Sequence, residues 1–509
     1  MSRINTNVQS LVAQRVLAQN NNGLSTALER LSTGLRITRG KDDPAGLIAS
    51  ENLRGEQKGL NQAVANADRA DQVLNIAEGG LQEVSGLLTE LQGLITASAS
   101  EAGLSSEEKE ANQLQVDSIL QTIDRISGAT NFQGIKLLNG NFDFTTSGLA
   151  AGSVSAKVNS AKFTGSSLAV NVAVTQSAQN AGLLLSLGGA NITLSSATAQ
   201  LKLEIGGKAG SREFTFANSA SITSIRDAIN QFTDVSGVRA TVSGTAIKVT
   251  SSDAGSAEFV SVRSVDNGGI ATATSGIYNL TATNFNTAAA QASEFTTNGN
   301  AVRDSGQDVK GTINGLVANG VGRNLSLSTD FLDVSVSLST AEAQAIGNVD
   351  GAGGVGSSAF SITGGGADFQ LSSKVDINGK VSLGIGEIAA RKLGTNSGVG
   401  ALSSLASGQA NNVVGGSVSD AQKVVAAAIK EVSGTRGRLG AFQKNVVGAT
   451  IRSLSINLEN TAAAQSSIRD ADFAAETANL TRSQILVSAA TNVLSLANSQ
   501  PQSALQLLG

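Results

Sequence analysis

The chain has 509 residues and a formal net charge of −4, with no Cys, His or Trp, one Met, one Tyr, two Pro and 57 Gly. Without His or Cys there are no imidazole bases, thiol nucleophiles, disulfides or Cys/His metal ligands, and no basic block marks a nucleic-acid partner. Aromatic residues make up only 3%. Stabilisation is therefore expected from many small contacts along extended helix seams, not from a few bulky anchors.

The opening Met-Ser-Arg-Ile-Asn-Thr-Asn lacks an apolar h-region, so no conventional signal peptide is expected. Leu17, Leu24, Leu28, Leu31 and Leu35 follow at helical spacing but are thinly spread. Asp43 before Pro44 reads as an N-cap and first-turn proline. Beyond it, Leu60, Ala63, Ala67, Ala70, Leu74, Ala77, Leu81, Val84, Leu88, Leu91 and Ile95 form an unbroken 3–4 seam. As one helix this seam runs roughly 54 Å. Ser105 and Glu108 predict a capping box, ahead of Val116, Ile119, Ile123 and Ile126.

The middle of the chain changes period. Leu201, Leu203 and Ile205 alternate, as do Phe214 and Phe216; Ile222, Ile225 and Ile229 read as a short helix. Alternation returns at Val238, Ala240 and Val242, then at Ile247 and Val249, which predicts a ββαββ-like module over about 200–262. The Gly/Ser-rich stretch 351–366 reads as a linker. Asn378-Gly379, between Val375/Ile377 and Val381/Leu383/Ile385, predicts a tight β-hairpin.

Helical period resumes in the last ninety residues. Ser419 and Gln422 predict another capping box, and Val425, Ala428, Val432, Thr435, Leu439, Phe442, Val446, Ala449, Ser453 and Ile456 a second seam. Leu486, Ala490, Val493 and Ala497 mark a final thin helix. Helices this sparse in large apolar residues do not offset their ordering entropy alone, so both chain ends are expected to order fully only against a partner.

Five segments are similar to bacterial flagellins: Arg30-Leu-Ser-Thr-Gly-Leu-Arg-Ile-Thr-Arg-Gly-Lys-Asp-Asp-Pro-Ala-Gly46, Asp124-Arg-Ile-Ser-Gly-Ala-Thr-Asn-Phe-Gln-Gly-Ile-Lys-Leu-Leu138, Arg438-Leu-Gly-Ala-Phe-Gln443, Ser467-Ile-Arg-Asp-Ala-Asp-Phe-Ala-Ala-Glu476 and Gln500-Pro-Gln-Ser-Ala-Leu-Gln-Leu-Leu508. The resemblance implies an α+β multidomain fold, with long terminal coiled-coil helices and a β-dominated outer part inserted between them. It places residues 1–42 and 466–509 in an inner tube, 43–145 and 365–465 in a helical bundle with a β-hairpin, and 146–364 in surface-exposed variable domains. The 200–262 module is similar to an insert that recurs in flagellins. The function implied is that of a self-assembling, secreted subunit of the flagellar filament, without enzymatic activity or cofactor. Its implied partners are other copies, the type III export apparatus, an export chaperone on the C-terminal helices, and the cap and hook-associated proteins. No membrane-spanning segment is expected. A hook–filament junction protein, or a filament subunit with an adhesive outer domain, are the alternative readings. One segment departs from the family. Where many flagellins carry a receptor-contacting Leu-Gln-Arg-(Ile/Val)-Arg-Glu-Leu-Ala-Val-Gln, this chain has Glu90 and Gln92 in place of the arginines and Ala97 in place of the last glutamine, keeping Leu94.

Overall fold

The computed structural model describes residues 6–100, 103–149, 154–270, 275–280, 288–295, 299–350 and 358–506. Its helices are α1 (Val8–Thr33), α2 (Pro44–Ser98), α3 (Ser106–Ala129), α4 (Ile222–Asn230), α5 (Thr233–Ser236), α6 (Thr340–Gln344), α7 (Val418–Phe442), α8 (Gly448–Arg469) and α9 (Phe473–Gln506). Between α3 and α7 the regular structure is mainly β-strand. The helical boundaries follow from capping chemistry. Asp43 Oδ1 accepts from the Gly46 amide at 2.9 Å and opens α2. The Ser105/Glu108 capping box is complete. The start of α7 differs from expectation: its cap is Ser417, whose Oγ accepts from the Asp420 amide at 3.3 Å. Ser419 falls inside the first turn.

The chain divides into two compact units. One comprises Met1–Gly79, Phe369–Val381 and Gly434–Gly509. Here α1 lies along α9, and the first half of α2 buries Leu60, Ala63, Ala67, Ala70, Leu74 and Ala77. Leu60 and Ala63 cluster with Leu454, with Val64 and Leu458 at the margin. Polar cross-links run beside this seam. Arg436 Nε donates to Glu78 Oε1 at 2.7 Å, and Gln443 Nε2 to Asp71 Oδ1 at 2.8 Å and Asn75 Oδ1 at 2.9 Å. Between α7 and α8 the helix widens into a π turn at Gln443–Val447. Its extra residue moves the seam by one position, so Val447 and Leu454 are buried while Val446 is half-buried and Ser453 and Ile456 are exposed. Sequence spacing alone put Val446 on the seam, because it presumes 3.6 residues per turn throughout.

The other unit comprises Gly80–Asp368 and Ser382–Ser433. The second half of α2 buries Leu81, Val84, Leu88, Leu91 and Ile95; α3 buries Val116, Ile119, Leu120 and Ile123; α7 buries Val425, Ala428 and Val432. Buried Gln113 of α3 ties the irregular 384–417 segment down, donating to Leu405 O at 2.8 Å and accepting from the Val413 amide at 2.9 Å.

Two β cores follow in the same unit. The first centres on a seven-stranded antiparallel sheet, in the order Gly347–Val349, Val172–Gln176, Lys310–Ile313, Leu316–Val321, Asn324–Ser328, Leu332–Leu338, Val154–Ala161. The second is built from two sheets that share one core. Strands Gln200–Gly207 and Ser211–Ala217 lie in one and Val238–Ser243 and Ala246–Ala254 in the other, with Ile222, Ile225 and Ile229 of α4 buried in the same cluster. The alternating side chains singled out in the 200–262 stretch therefore face a common interior, although its two hairpins belong to different sheets. In the 351–366 stretch, residues 351–357 lie outside the described residues and the remainder carries the strand Phe360–Gly365.

The tight hairpin expected at Asn378-Gly379 is corrected. Strand Lys380–Leu383 pairs with Ala367–Gln370 across a longer loop, in which Val375 is 94% exposed. Asp376 Oδ1 accepts the Gly379 amide at 2.7 Å, which makes a side-chain-capped turn and leaves Asn378 and Gly379 out of the positive-φ region that a type I′ turn needs. The primed turn occurs instead at Asn314 (φ 50°) and Gly315 (φ 79°), joining Lys310–Ile313 to Leu316–Val321. A β-branched residue tolerates left-handed φ poorly, at a cost of about 1–2 kcal/mol. Asn314→Val is expected to lower the unfolding free energy of the β region, measured by urea titration, by about 1–2 kcal/mol more than Asn314→Gly, because both lose the bond in which Asn314 Oδ1 accepts from the Asn171 amide at 2.8 Å and only valine adds the backbone strain.

Candidate assembly interface

The α1–α9 pair is built around alanine. Ala13 and Ala27 of α1 and Ala490 and Ala497 of α9 are buried, and Asn7 Nδ2 donates to Ala497 O at 2.7 Å. The expectation that these ends wait for a partner before ordering is therefore modified: they pair within one chain, because small side chains let two thin helices approach closely. The large apolar residues point elsewhere. Val8, Leu11, Val12, Val16, Leu28, Phe473, Ile485, Leu486, Val493 and Leu496 are all exposed, Leu486 by 44% and Val493 by 56%. Leu17, Leu24, Leu31 and Leu35 are half-buried.

Val8, Val12 and Val16 sit at i, i+4, i+8 on one face of α1. Together with Leu486, Val493 and Leu496 they line an apolar groove of about 520 Å³. Sequence reasoning named Leu486 and Val493 but missed the valine stripe, which a search for i+4 repeats among β-branched residues would have found. The pair carries few charges: Arg15, Glu29 and Arg30 on α1, Glu476 and Arg482 on α9. Arg30 meets the largely buried Glu476 at 3.1 Å.

A short junction fixes the two helices at one end. Gly34 (φ 70°) stops α1, its amide bonded to Arg30 O at 2.8 Å. Leu35 and Asp470 then form an antiparallel bridge; the Arg36 amide donates to Arg469 O at 2.7 Å and the Arg36 guanidinium to Ile468 O at 2.6 Å. Asp472 Oδ1 caps α9 through the Ala474 amide at 2.9 Å. Further along, Asp42 Oδ2 accepts from the Arg39 amide at 2.9 Å, the Thr38 hydroxyl at 3.0 Å and the Thr38 amide at 3.2 Å. The Arg39 amide bond, followed by the Thr38 bonds and nearby Lys41, holds the Asp42 carboxyl below the ordinary aspartate value. A depressed carboxyl contributes order that is whole above its unfolded-state value and lost as pH falls through the folded one. Amide exchange at Thr38 and Arg39 is therefore expected to accelerate on acidification relative to its intrinsic rate, and Asp42→Asn to abolish that acid dependence.

The remaining predicted positions are already satisfied in the single chain. Leu74, Leu81, Leu88, Leu91, Val432 and Leu439 are exposed by 1% or less, so they hold the bundle and offer nothing to a neighbour. In the receptor-aligned stretch of α2, Glu90 and Ala97 are exposed and Gln92 and Leu94 half-buried. Among the described residues no cluster of His, Cys, Asp or Glu could hold a metal ion, and no helix is long and apolar enough to cross a membrane.

Comparison with known proteins places the sequence. Residues 4–143 match the family described as the bacterial flagellin N-terminal helical region, and residues 422–508 the bacterial flagellin C-terminal helical region. The chain is 29% identical to a flagellin of Salmonella typhimurium and 26% identical to flagellin B of Helicobacter pylori, each alignment covering 99% of both chains. Among solved structures, FliC of Burkholderia pseudomallei is 15% identical, with 74% of this chain and 99% of that one covered and a TM-score of 0.24. The D2–D3 domains of the flagellar cap protein FliD from Escherichia coli are 19% identical, with 43% and 97% covered and a TM-score of 0.27.

Proposed function

Because the chain belongs to the bacterial flagellins, we propose that the α1–α9 pair is its polymerising element and that the apolar groove is filled by terminal helices of neighbouring copies. The protein is a structural subunit of the extracellular flagellar filament and not an enzyme. The observation that supports the groove's role is the division of labour between small and large residues: alanines close the helix pair, while valines, leucines and an isoleucine stay in solvent. Each buried Leu or Val adds about 1.5–3 kcal/mol. A handful per subunit exceeds the entropic cost of docking. Residues 1–42 with 466–509 take the inner tube on this reading, 43–145 with 365–465 the surrounding bundle, and 146–364 the outer surface. Delivery by the type III export apparatus, a chaperone on the C-terminal helices, and contact with cap and hook-associated proteins belong to the same reading. Seeding purified protein with filament fragments and imaging by negative stain tests it: long helical filaments support the reading, and unextended seeds overturn it.

The altered stretch around Glu90 and Gln92 supports a second proposal, of weak activation of the flagellin-sensing Toll-like receptor. Exchanging a multidentate guanidinium for a carboxylate reverses the local charge and removes the donors. In a cell reporter assay this protein is expected to be at least about tenfold less potent than a flagellin that keeps both arginines, each tenfold being about 1.4 kcal/mol. Full potency removes the proposal.

A further inference from the structure

We infer that the π turn at Gln443–Val447 is a register device, which lets α8 present either of two apolar stripes to α2. The segment after the turn carries two overlapping seams. With the extra residue in place, Val447, Leu454 and Leu458 face inward, and Leu454 packs with Leu60 and Ala63. If the turn instead closes up as regular α-helix with every residue retained, α8 turns by about 100° and Val446, Ala449, Ser453 and Ile456 come to the same face. Those four residues keep the 3–4–3 spacing of a functional seam, and Ile456 is 58% exposed in the observed register. A solvent-facing isoleucine, in phase with a buried stripe it does not belong to, is accounted for by the second register.

Three further observations bear on this. Glycine, a weak helix former, surrounds the turn: Gly448 directly follows it, at the start of the segment that rotates, and Gly434, Gly437 and Gly440 precede it, where a Cβ would meet open space. The upstream side is anchored, by Arg436 on Glu78 and Gln443 on Asp71 and Asn75, so rotation is confined to the residues beyond. The far end of the observed register is imperfectly satisfied. Ser50 Oγ, Gln57 Nε2 and Arg469 Nε are buried without hydrogen-bond partners, and Arg469 reaches Glu51 only through a terminal nitrogen, at 2.8 Å. Unpaired buried donors raise the energy of the state that holds them, which narrows the gap to an alternative register. The switch changes which face of α8, the Leu454 face or the Ile456 face, stays free for other copies.

The natural chain has no cysteine, so single thiols report register cleanly. Leu454→Cys reads a position buried in only one register, and Ala63→Cys reads a seam position on α2 that is covered in both. Deleting the exposed Lys444 removes the extra residue and leaves α8 in the observed register alone. In the monomeric full chain, maleimide labelling at residue 454 is expected to be at least about tenfold faster than at residue 63, through local opening, and the deletion is expected to close that gap to about twofold. Equal protection in the undeleted chain, or a gap that survives the deletion, overturns the inference. Amide exchange on the unsubstituted chain gives a reading that needs no folded variant: protection over 443–458 at least about tenfold lower than over 60–74 agrees with the device, and equal protection contradicts it.

Discussion

Val493→Asp is expected to abolish seeded elongation while leaving the single chain folded. Val493 is 56% exposed and lines the α1–α9 groove, so an aspartate there meets water in the monomer. Surface exchanges of this kind change stability by about 0.5 kcal/mol or less, and the circular dichroism spectrum and thermal midpoint should match the parent. In a polymer the same carboxylate would be carried into an apolar contact without a partner, at a cost of several kcal/mol per subunit. Every 1.4 kcal/mol is about tenfold in the critical concentration, so a loss of at least about a hundredfold is the expected scale. Normal elongation by this variant would remove the groove from the assembly mechanism.

Leu91→Ala is expected to act in the opposite way, destabilising the monomer before any assembly is measured. Leu91 has no exposed surface and sits between the equally enclosed Leu88 and Ile95. Truncating such a leucine removes transfer free energy and leaves a cavity, a loss of about 2–5 kcal/mol. A 55-residue helix held along its length cannot collapse onto one missing side chain, which favours the upper half of that range. Urea titration followed at 222 nm, below the polymerisation threshold, measures it. Leu114→Ala on α3 serves as the contrast, because Leu114 is largely in solvent and its truncation should stay within about 0.5 kcal/mol.

What could be read from the sequence was whatever repeats. The α2 seam from Leu60 to Ile95 is buried throughout, since 3–4 spacing over many turns leaves a helix no other way to hide it. Single-residue decisions were less legible. The π turn is one inserted residue with no compositional mark, so Val446 stood where Val447 belongs. Asn-Gly occurs at 314, 378 and several other places, so the dipeptide alone does not mark a primed turn; at 378 the nearby Asp376 captures the Gly379 amide and the turn is wide. Ser417 and Ser419 lie two residues apart at the start of α7; the earlier one caps the helix and the later one falls inside its first turn. The groove was half legible. Its leucines and valines are visible as apolar, but whether they face inward or outward depends on alanines closing the pair first.

The scarcity of charge on α1 and α9 has a physiological consequence. Contacts made between ions weaken as the Debye length shrinks, whereas contacts between valine, leucine and alanine hold or strengthen as salt withdraws water from apolar surface. If the groove is the joint between copies, as proposed, a filament held in this way keeps its cohesion from fresh water to brine and needs no counter-ion from either.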